Sequence, residues 1–82
     1  MRLPRDIGGP DLARRLAKCG YTMARQTGSH LKLTSNHNGP EHQLTITTSP
    51  LLRMGTLNNI LVEVAAYLGI EKDALAATLF AS

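Results

Sequence analysis

The sequence is poor in the residues that stabilise small domains through covalent or metal links. Its 82 residues include one cysteine, Cys19, which excludes an internal disulfide framework and a cysteine-rich metal site. A single thiol is typical of proteins from a reducing cytoplasm. Aromatic residues make up only 4% of the chain and Trp is absent, so aliphatic side chains must fill the core. At this length we expect one small domain spanning residues 1–82.

Long apolar segments are missing as well. The chain has no apolar run of about 18 residues, the length that a membrane span needs. Its N-terminus carries basic residues but no apolar segment of signal-peptide length. Internal repeats and low-complexity tracts are also absent. These absences predict a cytoplasmic protein that does not associate with membranes.

Positive charge predominates, and it is distributed unevenly. The formal net charge is +3 and the sequence pI is about 9.5. Seven of the nine basic residues fall in the first 32 positions, namely Arg2, Arg5, Arg14, Arg15, Lys18, Arg25 and Lys32. Three of the six acids, in contrast, lie near the C-terminus: Glu63, Glu71 and Asp73. A basic first half suggests a surface that faces nucleic acid.

The hydrophobic pattern predicts three helices. The first spans 10–19: Pro10 and Asp11 favour its start, Gly20 favours its end, and Arg14, Arg15 and Lys18 occupy its solvated side. The second and longest runs to Leu68, with Thr56 as its cap. A short third helix follows residue 70.

Three strands are predicted between the first and second helices. Alternating polar and apolar residues indicate strands over 21–26, 29–35 and 42–48, with turn formers in between. Consecutive strands with short links form an antiparallel meander. The predicted fold class is therefore α+β, with a three-stranded antiparallel sheet. Helices can cover one face of so small a sheet, which leaves the other face open to a ligand.

The segment 28–33 combines a turn with a possible reactive group. Gly28 suits a tight turn, and Leu31 and Leu33 then alternate with His30 and Lys32. The alternation places the imidazole and the ammonium on the same sheet face, opposite the leucines. Such a pair is suited to proton transfer beside a phosphate.

Three stretches in chain order resemble the HicA family of toxin ribonucleases. They are Leu16–Tyr21, Arg25–His30 and Gly55–Leu61, the last of which matches the pattern Gly-Thr-Leu-x-x-Ile-Leu. The resemblance implies a fold like that of double-stranded-RNA-binding domains, in the order α-β-β-β-α, here with a short extra C-terminal helix. It also implies metal-independent cleavage of mRNA and, as a partner, a HicB-type antitoxin that blocks the catalytic histidine.

The same resemblance assigns the site residues. The histidine of the Gly-Ser-His motif, His30, is expected to be catalytic as a general acid or base. Gly28, Ser29, Lys32 and Arg25 are expected to bind RNA, and neither a metal nor another cofactor is expected. Many family members carry a second histidine after the third strand, which the segment 48–52 lacks. A noncatalytic RNA-binding module and a domain that mainly engages a protein partner therefore stay open as alternatives.

The remaining candidates are given structural interpretations. His37 and His42 flank a turn without a matching set of metal ligands, so we interpret both as loop residues without a function. Cys19 is expected to be a small, buried, unreactive residue. Val62 and Tyr67, on the second helix, could serve a partner or an added layer of the core.

Overall fold

The computed structural model describes residues 3–80 and has the predicted α+β class. Its elements, in chain order, are α1 (Gly9–Leu16) with a 3₁₀ turn at Ala17–Cys19, β1 (Thr22–Thr27), β2 (His30–Ser35), β3 (His42–Thr47), α2 (Met54–Leu68) and α3 (Lys72–Phe80). Within the described residues, no helix has both the length and the hydrophobicity that crossing a membrane would require.

The three strands form one antiparallel sheet in the order β1-β2-β3, with β2 at the centre. Along β2 and β3 the side chains alternate as predicted between a buried and an exposed face. The helices cover the buried face. Apart from Tyr21, the core there is aliphatic, with Leu12, Leu16, Leu31, Leu33, Ile46, Leu57, Leu61, Val64, Leu75 and Leu79 fully or almost fully buried.

The edge strand β1 projects beyond this core. All six of its residues are exposed, and the register with β2 shifts between Met23 and Arg25, which marks a bulge. Helix α1 packs against β2 and β3. The bulge and the missing cover leave both faces of β1 in solvent.

The first helix is shorter than predicted. Its α-helical part ends at Leu16, and the next three residues tighten into a 3₁₀ turn. Gly20 then adopts φ +92°, and the Tyr21 N–H donates to the Leu16 carbonyl. This bond turns the chain toward the sheet and buries Tyr21 just before β1 begins.

The second helix begins earlier than predicted, so the assignment of Thr56 as its cap is wrong. Arg53 is the N-cap in an extended conformation, and the Leu57 N–H closes the first turn on its carbonyl. Thr56 therefore lies inside the first turn. The helix buries Leu57, Ile60, Leu61, Val64 and Ala65 and ends at Leu68, with Gly69 as its C-cap at φ +72°.

The expectation that Arg15 belongs to a solvated helix face is also wrong. Its Nη1 donates to the Leu79 carbonyl at 2.9 Å, and its Nε lies 3.4 Å from Asp11 Oδ1. The guanidinium is 5.4 Å from the centre of the Phe80 ring. Helix α3 folds back on α1, and a cation beside its last carbonyls is favourable. Arg14 and Lys18 are exposed, as predicted.

Candidate functional site

A two-residue turn joins β1 to β2 and positions His30 as the first residue of β2. Thr27 pairs with His30 across the hairpin, which leaves Gly28 and Ser29 as the loop. Gly28 has φ +51°, whereas Ser29 does not have a positive φ. A glycine with positive φ at the first central position is the pattern of a type II′ turn, whose twist matches that of the strands. The Thr48 N–H donates to the Ser29 carbonyl at 2.8 Å and holds this end of the sheet together.

The strand register brings three of the predicted site residues together on the open face. His30 lies between Thr27 and Thr47, and Lys32 lies between Arg25 and Thr45 in the neighbouring row. Because Leu31 and Leu33 are buried, the side chains of both rows point away from the core. They border a shallow depression of about 460 Å³, which is lined by Arg25, Thr27, His30, Lys32 and Thr45.

The depression is positively charged. Two of its lining residues, Arg25 and Lys32, are cations, and none is acidic. Within residues 3–80 the imidazole of His30 has one hydrogen-bond contact, a long one of 3.4 Å between its Nδ1 and Ser29 Oγ. Its Nε2 is therefore available to a ligand. An imidazole beside two cations can transfer a proton while the cations stabilise a phosphate.

The other two predicted RNA-binding residues lie outside the depression. Gly28 and Ser29 lie in the turn beside the depression and do not line it. Space around Gly28 is open, since a side chain there would meet nothing within 4 Å. Its contribution in the structure is the backbone conformation that places His30.

The interpretation of His37 and His42 as two loop residues is wrong for His42. His37 lies in the turn after β2, whereas His42 begins β3, as the strand predicted over 42–48 does, and its side chain is only 18% exposed. The His42 Nδ1 is 2.6 Å from the Tyr21 hydroxyl, and its Nε2 is 2.8 Å from Glu63 Oε2. The ring also stacks on Tyr67, with the ring centres 4.8 Å apart. His42 thus connects β3 to α2 and to the residue before β1.

Burial and nearby negative groups raise the pKa of Tyr21, which keeps its hydroxyl a hydrogen-bond donor in this cluster. Burial raises the pKa of Tyr21 to about 12, with smaller contributions from Tyr67, Glu63 and Cys19. Because the phenol stays protonated, it can donate to His42 Nδ1. The Nε2–H can then donate to the Glu63 carboxylate. In this arrangement the Tyr21 hydroxyl and both ring nitrogens of His42 have hydrogen-bond partners. No local motif could have indicated this cluster, since His42 is 21 residues from each of its two partners.

Tyr67 has a structural role as well. Its hydroxyl lies 2.7 Å from the Pro40 carbonyl and accepts a hydrogen bond from the Asn38 N–H at 3.2 Å. It therefore holds the loop between β2 and β3 against α2. Val62, by contrast, is exposed.

Cys19 has the environment of a structural residue, and residues 3–80 form no cluster of metal-ligating side chains. Burial raises the pKa of the Cys19 thiol, which packs partly buried against the core, as expected of a structural residue. Within residues 3–80, no three His, Cys, Asp or Glu side chains gather in a group that could hold a metal ion.

Comparison with known proteins does not assign the chain to a family. No protein-family model, curated protein or solved structure matches it significantly.

Proposed function

We propose that this chain is a small, metal-independent endoribonuclease toxin of the HicA type, which cleaves mRNA in the cytoplasm and is neutralised by a HicB-type antitoxin. The proposal includes the finer fold assignment, a variant of the double-stranded-RNA-binding fold with a third helix. The single observation that carries it is the juxtaposition of His30, Lys32 and Arg25 in one depression of the open sheet face.

The three resembling stretches support the proposal in different ways. In Leu16–Tyr21 and Gly55–Leu61 the apolar members, such as Leu16, Leu57 and Leu61, are buried in the core. These two stretches therefore support the fold assignment. The stretch Arg25–His30 forms the hairpin turn and contributes three of the residues that line the depression, so it supports the assignment of the site.

The proposed reaction uses a group that RNA itself supplies. The ribose 2′-OH, which DNA lacks, attacks the adjacent phosphorus and expels the 5′ oxygen of the next nucleotide. His30 accepts the proton of the 2′-OH or donates one to the leaving oxygen. Lys32 and Arg25 stabilise the negative charge that develops on the phosphate. The exposed depression is open enough for an extended RNA strand to reach the imidazole.

The composition of the depression limits the expected rate. Its other lining residues are threonines and cations, so His30 is the only imidazole, the side chain used most often for proton transfer, among them. One general acid or base contributes roughly 10²–10⁴-fold to a rate. We therefore propose a slow nuclease, whose toxicity comes from the damage that even slow cleavage does to mRNA.

The test is cleavage of a long RNA by the pure protein in the presence of a chelator. His30→Ala should reduce the rate by about 100-fold or more, because the proton-transfer group is removed. His37→Ala is the matched control, since His37 is an exposed histidine in the loop after β2. Undiminished cleavage by His30→Ala would refute the assignment of the site. In cells, expression should arrest growth, and His30→Ala should relieve the arrest.

A noncatalytic RNA-binding module is the second candidate. The observation that favours it is the absence of a second proton-transfer group among the residues that line the depression. The same experiment separates the two functions. Shortening of the RNA indicates an enzyme, whereas salt-sensitive retardation without shortening indicates a binding module.

A further inference from the structure

The open sheet face carries a second depression at the opposite end of the strands. It has a volume of about 290 Å³ and is lined by Gly20, Thr22, Thr34, Ser35, Asn36 and Glu41. Thr22 pairs with Thr34, which lies two residues beyond Lys32 and therefore on the same face. Both depressions thus open on the same side of the sheet.

The two depressions differ in chemistry. The first has two cations and a histidine, whereas the second is lined by hydroxyls, an amide and the carboxylate of Glu41, with no Lys or Arg. The Glu41 carboxylate repels phosphates, so the second depression is not suited to the backbone of a nucleic acid. Its groups are suited to the donors and acceptors on the edge of an unpaired base.

The spacing of residues along β2 gives the distance between the two depressions. Side chains on one face of a strand recur at about 6.6–6.8 Å, so Thr34 lies about 13 Å along β2 from His30. No residue that lines either depression is apolar and large enough to divide the face. An RNA strand whose reacting phosphate lies at His30 can therefore extend toward Glu41 and place a neighbouring base there.

We infer that Glu41 is a specificity-determining residue, which binds an unpaired guanine next to the nucleotide that is cleaved at His30. A carboxylate accepts two parallel hydrogen bonds. Guanine presents two adjacent N–H donors, N1–H and N2–H, on its Watson–Crick edge, whereas adenine, cytosine and uracil have no two adjacent donors there. The inference rests on the proposed function, since it names a subsite of the same RNA.

The experiment uses unstructured oligouridine strands that contain one guanosine, one inosine or no substitution. Wild-type protein should cleave the guanosine strand at a fixed distance from the guanosine, about 10-fold or more faster than plain oligouridine, which is within the discrimination of a good bidentate pair. Inosine lacks the N2 amino group and should lose most of that preference. Glu41→Ala should cleave all three strands at similar rates, so that the preference for guanosine is lost.

Glu71→Ala is the control, because it also removes one exposed carboxylate, from the turn before α3. It should keep the preference for guanosine. A wild-type protein without a base preference, or an unchanged preference in Glu41→Ala, would overturn the inference and leave the nuclease function intact. If the wild type cleaves no RNA, the proposed nuclease function is wrong. The guanine subsite is then tested by the binding of the same strands. Guanosine-dependent affinity that Glu41→Ala loses would support the subsite, and affinity independent of the base would overturn it.

Discussion

Replacement of His42 by Ala should destabilise the fold by about 2–4 kcal/mol, although this histidine is outside the candidate site. The substitution leaves the hydroxyl of the buried Tyr21 without the partner that lies 2.6 Å away. A buried polar group without a partner costs about 1–3 kcal/mol. Loss of the stacked ring on Tyr67 adds about 0.5–1.5 kcal/mol. The half-exposed Glu63 contributes about 0–1 kcal/mol, because solvent screens its interaction.

The assay is urea unfolding followed by circular dichroism near neutral pH. His37→Ala is the matched control and should change the free energy of unfolding by less than about 0.5 kcal/mol, as exposed loop substitutions usually do. A double-mutant cycle isolates the hydrogen bond: in a Tyr21→Phe background, His42→Ala should cost about 1–2 kcal/mol less than in the wild type, since no hydroxyl is left unpaired. A loss below about 0.5 kcal/mol, or additivity of the two substitutions, would refute the structural role of His42.

Two further predictions concern titration and packing. The pKa of Tyr21 rises from 10.0 to about 12 on folding. The contribution of its protonated form to stability is therefore complete below pH 10 and is lost as the pH rises toward 12. In urea unfolding across this range, the free energy of unfolding of Tyr21→Phe should fall less with pH than that of the wild type. Gly9→Ala should destabilise by about 1–3 kcal/mol, because its Cβ would lie 1.7 Å from the Thr47 carbonyl oxygen. Gly55→Ala is the contrast: its Cβ meets nothing within 4 Å, and it should stabilise α2 by up to about 1 kcal/mol. Equal effects of the two substitutions in urea unfolding would contradict the packing argument.

The candidate site could be predicted to the extent that local patterns determine it. Alternation in β2 has a period of two, so the burial of Leu31 and Leu33 follows from the sequence, and His30 and Lys32 must then face outward. The glycine at position 28 likewise indicates the hairpin turn. Arg25 joins this face because the hairpin register pairs it with Lys32 across a bulge, which the alternation of β1 alone does not specify.

The contacts that could not be predicted are those between residues far apart in the chain. Arg15 is amphipathic and can serve a solvated face or a helix end, and the docking of α3 on α1 determines which. His42 shows no signal at any local spacing, since its partners come from the segment before β1 and from α2.

The sequence by itself therefore determined the element order, the α+β class and the face on which His30 and Lys32 lie, because all three follow from turn residues and short periodicities. Tertiary structure alone decided the enclosure of His42 by Tyr21, Glu63 and Tyr67, and the position of Glu41 beside Thr22 and Thr34. The physical reason is that strand pairing and helix docking bring together side chains whose separation along the chain carries no periodic signal.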